Sequence, residues 1–266
     1  MSTVARLREL FEYRELLVNL TIRDLKLKYK GSAIGVAWSI LNPLIMMAIY
    51  TAVFGVFLRA VVLPHYWALV LVGLLAWTFF SNSLTSATLA FVRNGSLITK
   101  VYFPIEALPI SMVLAHLLNF LIMLGVLLIV LMLGGIHLGW SLILLPILVL
   151  ALLALALGLG LFVASITVYF RDIEHLIVLG LTALFYLTPV LYPLDPRALP
   201  AGAARFIPYA KLNPMAWYLD NFHSVLYYGR WPEPLLFGLM LVSAVASLSA
   251  GYLIFNRMRP YVPEEV

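Results

Sequence analysis

A charge-free stretch of about 25 residues, Ile34 to Leu58, constrains this chain more than any other feature. As an α-helix it is roughly 37 Å long, enough to cross a hydrocarbon layer of roughly 30 Å with some tilt. The segment before it has the opposite character. Thr21 to Ser32 reads TIRDLKLKYKGS and carries Arg23, Lys26, Lys28 and Lys30, and the charges stop at Gly31. A basic stub against an apolar run marks the cytoplasmic end of a span, so its side sets the orientation of everything that follows.

Composition extends the argument to the whole chain. Of 266 residues, 64% are hydrophobic and 11% charged, whereas an ordinary soluble domain is about a quarter charged. So few charges cannot cover so much apolar surface in water, and the solvent implied is a bilayer. The net charge of +5 is then read as a membrane-surface feature and not as a nucleic-acid footprint, since seven of the 17 Lys and Arg precede Gly31 and suit an anionic leaflet. The absence of cysteine excludes a disulfide framework and a thiolate metal site. The charged, amphipathic start is unlike a cleavable signal peptide.

Residues 4 to 18 read as an interfacial helix, with Leu7, Leu10, Phe11, Leu17 and Val18 on one side and Arg6, Arg8, Glu9, Glu12 and Glu15 on the other. Thr21 and Asp24 match a Thr-x-x-Asp capping box, which predicts a new helix starting there. Five more apolar runs follow the first: 66–92, 105–133, 142–170, 173–192 and 235–256. Six spans put both termini on one side. With that side cytoplasmic, the inner pieces hold the seven early cations plus Arg93, Lys100, Arg171, Arg257 and Arg259, which makes 12. The outer pieces hold Arg59, Arg197, Arg205, Lys211 and Arg230, which makes five. The bias predicts cytoplasmic termini.

Two segments between the runs stand out. Residues 93–104, Arg93, Asn94, Gly95, Ser96, Leu97, Ile98, Thr99, Lys100, Val101, Tyr102, Phe103 and Pro104, form the only sizeable inner loop and suggest a short amphipathic helix more apolar than an idle hairpin needs. The outer segment 193–234 is broken by Pro193, Pro196, Pro200, Pro208, Pro214, Pro232 and Pro234. After Asn213-Pro214, residues Met215, Leu219, Phe222 and Leu226 share a helix face. A loop this apolar is expected to dip back against the spans, where irregular backbone must be buried in protein.

Chemistry of the enzymatic kind is not visible. There is no Gly-x-x-x-x-Gly-Lys-Ser/Thr phosphate loop, so ATP hydrolysis is not expected on this chain. The five His are scattered, and no carboxylate lies in a span interior, Glu106, Asp172 and Glu174 standing at inner span ends, which disfavours a proton- or sodium-coupled carrier. His116 and Asn119 lie mid-span, where helix-to-helix hydrogen bonding is the plain reading and a functional role the alternative. Gly31-x-x-x-Gly35 fits a helix break beside the membrane better than a close helix contact. Trp38, Tyr50, Phe54, Trp77, Phe79, Phe80, Tyr186 and Tyr192 read first as interfacial anchors. Aromatic faces that stack on pyranose rings are the second reading.

Several blocks in order resemble the permease subunit of ABC-type polysaccharide exporters, the group that moves O-antigen, teichoic acid and capsule chains. They are Arg23 to Ser32 with Gly35, Trp38 and Asn42-Pro43-Leu44; Lys100-Val101-Tyr102-Phe103-Pro104 through Leu108-Pro109; Tyr169-Phe170-Arg171-Asp172-Ile173-Glu174-His175; Leu187 to Pro193; and Leu212-Asn213-Pro214-Met215 through Gly229. The resemblance covers nearly the whole length. The chain departs from the family at Ile105 and His223, where an Arg is common.

The resemblance implies an all-α integral membrane protein with six transmembrane helices, cytoplasmic termini, an N-terminal interfacial helix and re-entrant outer helices between spans five and six. Residues 1–33 form the gate region, 34–256 the permease domain with its first span at 34–58, and 257–266 a cytoplasmic tail. Arg23, Lys26, Lys28, Tyr29 and Lys30 are expected at the lipid head group. Residues 93–104 are expected to be a coupling helix docked on an ATPase. Trp38, Tyr50, Phe54, Tyr186 and Tyr192 are the candidate channel aromatics, with spans one and five lining the path. Implied partners are a second copy of the chain, two cytoplasmic ATPase subunits that bind ATP and Mg, an undecaprenyl-linked glycan and membrane lipids, but no nucleic acid. The chain itself takes no cofactor or metal and has no catalytic residue. The implied location is the bacterial inner (plasma) membrane. The rival readings are an ABC exporter of drugs or small lipids, a membrane-embedded enzyme acting on lipid-linked substrates, and a secondary carrier.

Overall fold

The computed structural model describes residues 12–31, 34–35, 37–58, 61, 63–100, 103–195, 198–199, 202 and 205–259, with the side chains of 96, 99 and 100 left out. Among the described residues there is helix and no strand. Five helices among the described residues are long and apolar enough to cross a membrane.

Helix α1 is Arg14–Tyr29. The expected new start at Thr21 does not occur. The helix runs straight through, because the Thr21 hydroxyl donates back to the Leu17 carbonyl at 2.7 Å instead of capping a new turn. The helix stops where Lys30 turns extended and Gly31 takes φ +80°, with Gly35 at φ +58°. These glycines make the break between helices, as their spacing suggested. Nothing crowds either one, so it is the backbone angle that requires glycine.

The first span, α2 (Ala37–Tyr50), continues as a π-helical stretch, Thr51–Phe57. The second, α3 (Tyr66–Thr88), lies along the axis of the bundle. It ends at Leu89, short of the expected Val92, and gives way to two short helices, α4 (Ala90–Arg93) and α5 (Gly95–Lys100). Then come α6 (Ala107–Leu133) and α7 (Leu145–Thr167), the latter entered through a 3₁₀ turn at Trp140–Leu144. Helix α8 (Ile173–Leu187) is shorter than the run 173–192 implied. Thr188 precedes Pro189 and is extended, as a residue before proline tends to be. Fifteen residues reach about 22 Å, short of a full crossing.

The outer segment holds α9 (Ile207–Ala210) and α10 (Pro214–Leu226). Asn213 caps α10 by accepting from the Met215 amide at 3.0 Å, with Pro214 at the first helical position. The Asn213 amide also donates to the Thr188 hydroxyl at 2.7 Å, fastening α10 to the end of α8. All four residues of the expected face, Met215, Leu219, Phe222 and Leu226, are buried. The last helix, α11, is Pro234–Met258.

Lipid removes most of the hydrophobic drive between helices, so close approach and buried polar contacts decide their packing. A Cβ at Gly158 would stand 2.3 Å from the Ser247 backbone, and one at Gly251 would stand 1.9 Å from the Gly158 carbonyl. The two glycines let α7 and α11 touch backbone to backbone. Gly73 plays the same part on α3, where a Cβ would meet the Val190 carbonyl at 2.5 Å. Phe79 packs on Phe120, and Phe120 on Phe222, with ring centroids 5.1 and 6.3 Å apart, so α3, α6 and α10 share one aromatic core.

Candidate functional site

A polar groove lies where α1 crosses α2, α3 and α6. It consists of two adjoining hollows of ≈300 and ≈610 Å³ that share Lys28, Asn82 and His116. The smaller adds Tyr29, Trp38, Ser39 and Asn119, and the larger adds Arg23, Asp24, Ser86, Arg93 and Asn94. The Tyr29 hydroxyl is shared between Ser39 and Asn119. Ser86 and His116 Nε2 are 2.8 Å apart, a contact between α3 and α6 that bears out the plain hydrogen-bonding reading of His116.

Arg23 organises the lower end. Its Nε and Nη2 donate to Asp24 Oδ1 at 2.9 and 2.8 Å, and Nη2 also donates to Asn94 Oδ1 at 3.1 Å. The Asn94 amide in turn donates to the Ala90 carbonyl at 2.8 Å. One guanidinium therefore links α1 directly to the junction of α4 and α5. Asp24 Oδ2 also accepts from Ser111 on α6 at 3.4 Å.

Lys28 has no carboxylate within ion-pair distance among the described residues. Part of its surface stays open, yet burial pushes its pKa below the ordinary lysine value. Lining the groove, Arg23, Lys28 and Arg93 face Asp24, three cationic groups against one anionic, an excess of two. Such a cleft attracts anions, and its hydroxyl and amide groups supply hydrogen-bond partners.

The structure divides the expected head-group set. Lys28 lines both hollows of the groove, with Arg23 in one and Tyr29 in the other, whereas Lys26 and Lys30 line only a neighbouring, more open hollow that Arg23, Tyr29 and Ile122 also border. In the 93–104 segment, Leu97 and Ile98 are partly buried against the cluster that includes Leu20, Phe103 and Ile105, so some of its apolar character serves internal packing. Phe103 and Pro104 are buried and Arg93 is exposed. Val101 and Tyr102, with the side chains of Ser96, Thr99 and Lys100, lie outside the described residues.

The five expected aromatics do not form one group. Tyr50, Phe54 and Tyr186 gather where α2 meets α8, around Phe185 and beside Trp77. Tyr50 stacks at 5.7 Å from Phe185, Trp77 at 5.7 Å and Tyr186 at 5.1 Å. Trp38 belongs to the groove. Tyr192 donates to the Leu187 carbonyl at 3.1 Å and packs at the core edge. Sequence reasoning left out Asn82, Ser86 and Phe185. The signal for the first two was present: Thr78, Asn82, Thr85 and Ser86 recur at helical spacing in the polar second half of the span.

Comparisons with known proteins agree in one direction. The profile of the ABC-2 type transporter family matches residues 15–227. The chain is similar to the O-antigen export system permease protein RfbA of Myxococcus xanthus, 37% identical over 256 residues that cover 96% of each chain. It is also similar to two proteins of that name from Klebsiella pneumoniae. One is 31% identical over 247 residues and the other 29% over 246, each alignment covering 92% of both chains.

Proposed function

The chain belongs to the ABC-2 type transporter family, and from that premise we propose that it is the membrane-spanning subunit of an ATP-driven exporter of lipid-linked O-antigen polysaccharide. It is a multi-pass protein of the bacterial inner membrane, and ATP hydrolysis resides on a separate subunit. The single observation that carries the substrate reading is the cationic groove, set in a chain that aligns end to end with O-antigen permeases. Its excess positive charge, its hydroxyl and amide lining and its position under an interfacial helix suit a pyrophosphate-linked lipid head group. Undecaprenyl is the carrier proposed.

The finer architecture is part of the same proposal. Helix α8 is the fifth of six spans, its shortfall made up by residues 188–191, which are buried in protein as non-helical backbone at membrane depth must be. Helices α9 and α10 form the re-entrant outer piece. Arg259, at the end of α11, donates to Glu106 at the start of α6 at 3.2 Å, and Arg23 reaches Asn94. Both contacts support α1, α5 and the end of α11 sharing one face, which the charge bias makes cytoplasmic. Residues 93–104 dock on one of two ATPase subunits, which bind ATP and Mg. A second copy of the chain completes the channel, with Tyr50, Phe54 and Tyr186 near the shared path.

The test is to deplete the chain and extract lipids. Accumulation of long lipid-linked glycan inside the cell is the expected result. An unchanged glycan pool would overturn the reading in favour of an exporter of drugs or small lipids.

A further inference from the structure

At the end of α11 remote from Arg259 lies a separate pocket of ≈490 Å³, between the start of α11, the end of α10 and residues 193–195. This volume lies within the range of roughly 300–1,000 Å³ usual for small-molecule sites. Its lining differs from that of the α1 groove. Tyr228 and Trp231 give it aromatic faces, and the Trp231 side chain, 61% exposed, is left open by the fold. The Arg230 guanidinium stands 4.4 Å over the Tyr228 ring. Asp195, Asp220 and Glu233 supply carboxylates and Lys211 an ammonium, with Lys211 Nζ 3.9 Å from Glu233.

With Arg230 this makes three acids against two bases, an excess of one negative charge. Asp220 makes no hydrogen bond and no ion pair within 4 Å among the described residues. Burial raises its pKa while Arg230 opposes the shift, so the carboxylate is desolvated without being neutralised by contact. A carboxylate in that condition is an acceptor awaiting donors. No cluster of His, Asp and Glu fit for a metal ion exists among the described residues. An anion finds acids here, and a lipid tail finds charge. A pyranose finds what it needs: an aromatic face for its C–H side, and carboxylates and a guanidinium for its hydroxyls.

We propose that this pocket is a saccharide-binding site at the end of the bundle opposite the α1 groove, where it holds one sugar unit of the chain being exported. The assignment rests on the polysaccharide reading above and adds a contact to the glycan that is independent of the lipid carrier. Trp231 stacks on the ring, Asp220 accepts from its hydroxyls, and Arg230, kept in place over Tyr228, donates to them.

The experiment uses the complete exporter with its ATPase subunits in lipid nanodiscs. The probe is O-polysaccharide released from its lipid by mild acid, and binding is measured by calorimetry. Wild type is expected to bind saturably, Trp231→Ala to weaken binding about tenfold, and Trp231→Phe to recover most of the loss. Asp220→Asn is expected to weaken binding several-fold, and it serves as the second variant if Trp231→Ala misfolds. A merely structural Trp231 lowers the melting temperature and leaves the affinity unchanged, and that result overturns the proposal. Absence of saturable binding to wild type overturns it as well. If depletion leads to lipid-linked glycan while the variants bind like wild type, the pocket assignment alone fails. A glycan pool unchanged by depletion removes the export reading and this assignment with it.

Discussion

Helices α2 and α3 are neighbouring spans of similar length and apolar content, yet 78% of the spanning window of α3 is buried and only 6% of that of α2. Helix α3 touches α6, α7, α8 and α10 and holds Gly73, Phe79 and Phe80 in the core. Helix α2 leans on α3 by one side and leaves Ile45, Met46 and Ile49 uncovered, with Val53 of the π-helical stretch, and α8 leaves Leu176, Leu179 and Leu187 open. Hydropathy alone does not distinguish an axis from a rim. What separates them is the small and polar content of α3, where Gly73 admits the Val190 backbone and the Thr78–Ser86 stripe faces the groove. A rim helix so bare in the single chain needs lipid or a second copy as its neighbour.

The largest effect is expected at the axis. Gly73→Leu drives a side chain into a backbone carbonyl that cannot step aside, and loss of the folded protein is expected, read as loss of the monodisperse peak in size-exclusion chromatography. Next, Phe79→Ala removes the ring that bridges α3 to Phe120 and is expected to cost about 3 kcal/mol or more, measured by reversible unfolding in detergent. A normal melting curve for either variant would erase the distinction between axis and rim.

The groove sharpens the comparison at intermediate size. Lys28→Glu puts an acid where the cleft needs a cation. Export, followed as surface glycan, is expected to fall about tenfold or more, with membrane insertion unchanged. Lys26→Glu, on the open side of α1, is expected to lose far less. Equal losses would mean that α1 acts by overall charge and not through the groove. The smallest effect on stability belongs to the rim. Ile49→Ala is expected to shift stability by about 0.5 kcal/mol or less. Because the chain has no cysteine, Ile49→Cys can be cross-linked as a single site. Cross-linked dimers are expected from Ile49→Cys and not from the buried Val72→Cys, and silence from both would remove α2 from the interface between copies.

Five spans and the α10 helix were legible in the sequence, because the relevant forces act within a few residues. A charge-free run of sufficient length has to be helical in a bilayer. Asn213-Pro214 starts a helix through one side-chain bond and one fixed φ. The same locality explains the misreadings. Thr21 and Asp24 have the spacing of a cap, but the Thr21 hydroxyl turns back to the Leu17 carbonyl and Leu20 joins the buried cluster that holds Phe91 and Leu108, so α1 runs through the site. The run 173–192 reads as one span by hydropathy, yet Pro189 ends the helix at Leu187.

The residues expected at a lipid head group form a set in the sequence but not one site in the structure. Arg23, Lys26, Lys28 and Lys30 look alike along the chain, and helical rotation on α6 sends Lys28 into a cleft and Lys26 out of it. Sequence by itself determined that this chain has several apolar runs long enough to span a membrane, places a basic segment before the first of them and carries no phosphate loop. Only the tertiary structure decided which span is the axis, which cations meet His116 and Asn82, and that Tyr228, Trp231 and Asp220 share a pocket. The reason is physical. Hydropathy and capping are sums over neighbours in the chain, whereas burial in lipid depends on where glycine and hydroxyl groups let distant helices meet.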